Sequence, residues 1–103
     1  MLNKFQHGIS FSETATHATA AVATHTGVAG ATHIALTVTC SSDKSGSILL
    51  VKDGSSTIWQ VQVGAGYSTI TFPGGLSASV GNDISASIDG TSACKANIAG
   101  VTV

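Results

Sequence analysis

The chain has 103 residues and only 9% of them are charged, with four lysines, no arginine, five carboxylates and a net charge of −1. Four lysines cannot neutralise a run of phosphates, which argues against sequence-independent nucleic-acid binding and against an electrostatic membrane anchor. Ser, Thr, Ala and Gly supply 53 of the 103 residues, Val, Ile and Thr together number 30, and 43% of the chain is hydrophobic; this composition points to an ordered all-β protein with one modest core rather than a disordered tract.

Residues 1–31 read as an extended N-terminal arm. Phe5, Ile9 and Phe11 stand at even intervals and fall on one face of a short strand. Between Thr14 and Ala31 the side chains are only Ala, Thr, Gly, Val and His, too small to suggest a core. An arm of this kind orders by adding a strand to a neighbouring subunit or another protein, which supplies pockets for the large apolar side chains. The opening residues lack the apolar stretch of a signal peptide, so the chain is expected to be made and kept in a cytoplasm. The longest strongly apolar run, Ile48 to Val51, is far short of the roughly 20 residues of a membrane-spanning helix.

Residues 32–103 read as the body, a single β-sandwich of jelly-roll or immunoglobulin-like type built from seven short strands separated by turn residues. The first spans Thr32 to Cys40, with Ile34, Leu36, Val38 and Cys40 at period two on the core face and His33, Ala35, Thr37 and Thr39 on the other. Ser47 to Lys52 and Thr57 to Val63 form a hairpin about Asp53-Gly54. Tyr67 to Phe72 follows, ended by Pro73-Gly74-Gly75 because proline cannot continue a central ladder. Leu76 to Val80, Asp83 to Asp89 and Cys94 to Val103 complete the set, with Ile84, Ala86 and Ile88 facing inward. So few surface charges give weak protection against association, which suggests that much of the surface is covered by other subunits.

Few residues offer chemistry. Cys40 and Cys94 match no zinc or redox spacing and read as free, buried thiols. Ala-Thr-His recurs three times at a spacing of eight, ending at His17, His25 and His33, with His7 upstream. Eight residues of strand span roughly 26 Å, so successive histidines share no metal unless the chain folds back. They read as polar strand residues, and neither a metal nor another cofactor is expected. The aspartates sit at turns or strand ends and no serine lies in a nucleophile-elbow setting, so no catalytic residues are assigned and the chain is not read as an enzyme. Trp59 and Tyr67, the only tryptophan and tyrosine, read as core or interface aromatics or as a stacking platform for a sugar.

From about Gly27 onward the chain resembles the small β-rich decoration, or cement, proteins of tailed bacteriophage capsids. The resemblance is carried by Gly27-Val28-Ala29-Gly30-Ala31-Thr32-His33-Ile34, by Lys52-Asp53-Gly54-Ser55 followed by Ile58-Trp59, by Phe72-Pro73-Gly74-Gly75-Leu76, by Gly81-Asn82-Asp83-Ile84-Ser85-Ala86, and by Ala96-Asn97-Ile98-Ala99-Gly100 before a Val-Thr-Val end. It implies a structural virion protein without catalytic residues, assembled in the host cytoplasm and bound to the capsid exterior. There it braces junctions between major capsid protein subunits, as a homo-oligomer in which a trimer is favoured over a dimer. Phe5, Ile9 and Phe11 would then anchor the arm on a neighbour. The alternatives are a glycan- or receptor-binding module and a small tail or fibre subunit.

Overall fold

The computed structural model describes residues 8–103 as eight strands: β1 (Ile9–His17), β2 (Ala20–His25), β3 (His33–Ser42), β4 (Ser47–Asp53), β5 (Ser56–Val63), β6 (Gly66–Ser77), β7 (Ile84–Asp89) and β8 (Cys94–Thr102). They form two four-stranded sheets, ordered β1-β8-β3-β6 and β2-β7-β4-β5, and every pairing is antiparallel. Among the described residues the chain crosses between sheets at every connection except the β4–β5 hairpin, so the two inner faces are stitched together from β1 to β8. The fold is an all-β sandwich, as the composition requires.

The core consists of inward positions at period two: Leu49 and Val51 of β4, Ile84, Ala86 and Ile88 of β7, and Cys94, Ala96 and Ile98 of β8, all buried. Residues 9–25 differ from the expected arm. From Ile9 they belong to the body, β1 pairing along β8 and β2 along β7. Their small side chains suit that position, because Ala21 and Ala23 are buried opposite Ile88 and Ala86, where the sheets approach closely. Of the three residues expected to anchor the arm, Phe5 lies outside the described residues, Ile9 is 76% exposed and Phe11 is buried in the core.

A bulge in β3 changes which residues face inward. The register of β3 against both β6 and β8 shifts between Ala35 and Thr37, leaving Leu36 without a partner. Val38 and Cys40 face the core as the alternation predicts, but one additional residue reverses the parity below them. Ala35 therefore joins the core cluster in place of Leu36, and His33 turns into the interior, while Ile34 between them is also fully buried, as expected, but outside that cluster.

Two further differences concern turns. The β4–β5 hairpin turns on Gly54-Ser55, with Asp53 paired to Ser56 and Gly54 at a φ of 59°, so the tight turn lies one residue later than expected. Pro73 does not end β6: a single strand runs through it to Ser77. Proline is tolerated there because β6 is an edge strand, and Phe72 to Gly75 pass the irregularity opposite the β3 bulge without ladder partners.

Gly100 sits against that bulge. A methyl group on its Cα would overlap the Ile34 carbonyl oxygen and come within 2.9 Å of its carbon, both rigid backbone atoms. We predict that Gly100→Ala lowers stability by about 1–3 kcal/mol or more, whereas Gly64→Ala, which meets open space, stays within about 1 kcal/mol of wild type. Denaturant midpoints of the two variants check this, and an unaffected Gly100→Ala would show that β3 can move away.

Candidate functional site

Every carboxylate of the chain is engaged in holding the fold. Asp43 accepts from the backbone N–H of Thr91 at 2.8 Å and of Ser92 at 2.9 Å, and from the Ser92 hydroxyl. Asp53 accepts from the N–H of Ser79 at 3.0 Å, its hydroxyl at 2.7 Å and the Asn82 amide at 2.8 Å. Asp83 accepts from the Gly27 N–H at 2.6 Å, and Asp89 from the Ile48 N–H at 3.0 Å and the Lys44 ammonium at 2.6 Å. These bonds tie loops at the two ends of the sandwich. Hydrogen bonding to the charged form holds three of these carboxyls below the usual carboxylate range. The cause is chiefly the Ser92 hydroxyl for Asp43, the Asn82 amide for Asp53 and the Lys44 ammonium for Asp89.

The remaining carboxylate, Glu13, accepts from His25 Nδ1 at 2.8 Å. His25 and His33 do come together, because the chain folds back between them. Their rings lie 4.4 Å apart, and Phe11 stacks on His25 at 4.2 Å. Both nitrogens of the buried His33 are occupied: Nε2 donates to the Thr26 carbonyl at 2.8 Å and Nδ1 is bonded to the Thr102 hydroxyl at 2.7 Å. His17 lies in the β1–β2 turn, where Nδ1 accepts from the N–H groups of Thr19 and Ala20 at 3.1 Å each. The eight-residue repeat thus places its histidines at three strand ends. Among the described residues, no group of three or more His, Cys, Asp or Glu is placed to hold a metal ion. Cys40 and Cys94 are free and buried, and burial pushes the Cys40 thiol up.

The two aromatics singled out by the sequence do not share a face. Trp59 lies opposite buried Val51 and packs its ring edge-on against Phe72 at 5.1 Å, half-buried between the sheets. Tyr67 is 76% exposed on the outer face of the first sheet, and its hydroxyl accepts from Thr69 at 3.3 Å, which draws the ring along the strand. Beside it is a cleft of about 470 Å³ lined by Thr14, Thr39, Ser41, Lys95 and Asn97. Asn97 is fixed by donating to the Thr14 hydroxyl at 2.7 Å and the Glu13 carbonyl at 3.0 Å. This grouping was missed in the sequence because its members come from four strands. The available signal was the Thr-x-Thr alternation at 14–16, 37–39 and 69–71, which sets hydroxyls on one face.

The second sheet carries the apolar counterpart. On its outer face Val22, Ser87, Leu50 and Gln60 lie in one row across β2, β7, β4 and β5. Val22 is 52% and Ile48 46% exposed, and Leu50, two residues along β4 from Ile48, is half-buried. With Ala20 and Gln60 they border a shallow depression of about 480 Å³, and the Lys44–Asp89 ion pair stands at its rim. Neither protein-family models nor curated proteins give a match to this chain.

The carboxylate bonds have a pH signature. A carboxyl whose value is depressed on folding contributes stability that is fully present above the unfolded value, roughly 4, and is lost as pH falls below it. We predict that the denaturant midpoint declines as pH is lowered through this range, and that replacing Asp43, Asp53 and Asp89 by Asn flattens the decline. A triple variant with an unchanged pH profile would remove these carboxylates as its cause.

Proposed function

We propose that the chain is a structural virion protein that binds the outer surface of a phage capsid and stabilises junctions between major capsid protein subunits. The observation that carries the proposal is the set of outward aliphatic side chains Val22, Leu50 and Ile48 around one depression of the second sheet, on a protein with only nine charged residues. Outward positions of an antiparallel sheet facing water are normally polar. Three aliphatic side chains grouped there favour cover by another protein surface. The resemblance to capsid decoration proteins supplies the identity of that surface. We read the strand order, 1-8-3-6 facing 2-7-4-5, as a jelly roll, an architecture recurrent in viral capsid and lectin domains.

In this role the mechanism is mechanical. A rigid sandwich lies across a subunit junction, apolar contacts exclude water, and many equivalent copies add weak restraints on the same shell. With little charge at the contact, long-range steering contributes little and binding varies only weakly with salt. The test is co-sedimentation with purified capsid shells lacking the protein. Wild type should saturate a fixed number of sites. A Val22→Lys, Ile48→Lys double variant, folded by circular dichroism, should bind at least about tenfold more weakly, since each buried ammonium costs several kcal/mol. Wild-type protein that ignores the shells, or a variant that binds as well, would end the proposal. Deleting residues 1–7 spares all eight strands and asks separately whether Phe5 and its neighbours add to shell binding.

A second reading is a glycan-binding module, favoured by the exposed Tyr67 ring beside a planar amide, a lysine and three hydroxyls. Aromatic stacking with adjacent polar donors is a chemistry suited to sugars. It predicts saccharide-dependent shifts of the Tyr67 ring resonances in NMR spectra and their loss in Tyr67→Ala. Unchanged spectra across neutral and acidic saccharides would eliminate it.

A further inference from the structure

The four edge strands are not equally protected. β1 carries Glu13 and His17 and is followed at once by β2, so these two edges lie side by side where the chain closes the sandwich. β6 is interrupted by Pro73, Gly74 and Gly75 opposite the β3 bulge. Charges, proline and bulges are the usual means of keeping an edge from pairing with another chain. β5 has neither charge nor proline: its eight residues, Ser-Thr-Ile-Trp-Gln-Val-Gln-Val, also lack glycine, and its one bulge, which leaves Ile58 without a partner on β4, lies ahead of the regularly paired residues 59–63. Among the described residues its ladder is paired on one side only, to β4.

The apolar residues of this side are also incompletely covered. Trp59, Val61 and Val63 of β5 lie opposite the buried Val51, Leu49 and Ser47, so they occupy inward positions, yet all three are only half-buried. Ile70, Phe72 and Leu76 of β6 are in the same condition across the opening. A strand added to β5 would pair its free backbone groups and cover this row.

The sequence of β5 indicates what that strand is. Residues 59–63 read apolar, polar, apolar, polar, apolar, the same in both directions. In an antiparallel pair with its two-fold axis through Val61, Trp59 meets the partner's Val63, Val61 meets the partner's Val61, and Gln60 meets the partner's Gln62. Every inward side chain then faces an apolar one. Each amide faces an amide, able both to donate and to accept, and no charge opposes another. We propose that β5 is a homodimerisation edge, joining the second sheets of two copies into one eight-stranded antiparallel sheet. Such a contact is isologous and closes at two chains, in place of the trimer implied by the resemblance. The inference is drawn from β5 alone and does not depend on shell binding.

The test is the solution mass of the full chain by light scattering, at concentrations up to about 100 μM. Wild type should be a dimer. Gln60→Lys with Gln62→Lys places like charges opposite each other at exposed positions, and should weaken dimerisation at least about tenfold. Gln60→Glu with Gln62→Glu should do the same. Mixing the two double variants should restore a dimer containing one chain of each, because lysine then meets glutamate. A wild-type monomer or trimer, lysine and glutamate variants that both remain dimeric, or a mixture that fails to pair would each overturn the proposal.

Discussion

The bulge at Leu36 is the constraint around which the first sheet is organised. It reverses the facing of β3 between Ala35 and Thr37, so one strand gives Val38 and Cys40 to the core above it and Ala35 and His33 below. Two neighbours accommodate the same irregularity. On β8 the residue beneath it is Gly100, where the β3 backbone leaves no room for a side chain. On β6 the compensating segment is Phe72 to Gly75, where an edge strand can absorb a proline. With His33 inward, the ring meets His25 and Phe11, and that small aromatic group fills one end of a core otherwise built largely from Ala, Val, Ile, Leu and Cys.

Charge is distributed with similar economy. The acidic side chains are placed where loops need backbone N–H groups satisfied, at the two ends of the sandwich and beside His25. Little charge remains for the faces and edges. One outer face is a field of hydroxyls around Tyr67, the other has aliphatic side chains about a shallow depression, and the β5 edge has no charge at all. The asymmetry that makes this chain a candidate for association therefore has the same origin as its loop stability: carboxylates occupied at the ends are not available to keep the sides apart.

Much of the sandwich was legible in the sequence because its alternation is regular. Ile84, Ala86 and Ile88 face inward as the period-two pattern requires, and the β4–β5 hairpin follows from a glycine between two β-branched runs. The failures share a cause: local patterns do not reveal which strand lies next door. Small alanines in β2 looked unable to form a core until Ile88 and Ala86 were opposite them. Pro73 looked like a terminator because nothing in the sequence says that β6 is an edge. Leu36 looked like a core residue because a bulge leaves the alternation of the letters intact while reversing the faces. The Thr-x-Thr alternation hints at a hydroxyl face but not at the Tyr67 cleft, since Thr14, Thr39 and Asn97 meet it only through pairing across the whole first sheet.

The pairing of Ile9 with Thr102, and of Thr32 with Val103, brings both ends of the described chain to the same end of the sandwich. A pull transmitted through the residues ahead of Ile9 meets the β1–β8 ladder at its last rung, so the strand peels away one bond at a time. A load spread across either sheet face is instead shared by four strands in parallel. The molecule is accordingly a weak tether and a strong plate: tension along the chain unzips it, while compression or spreading beneath a face is resisted by the full set of ladders.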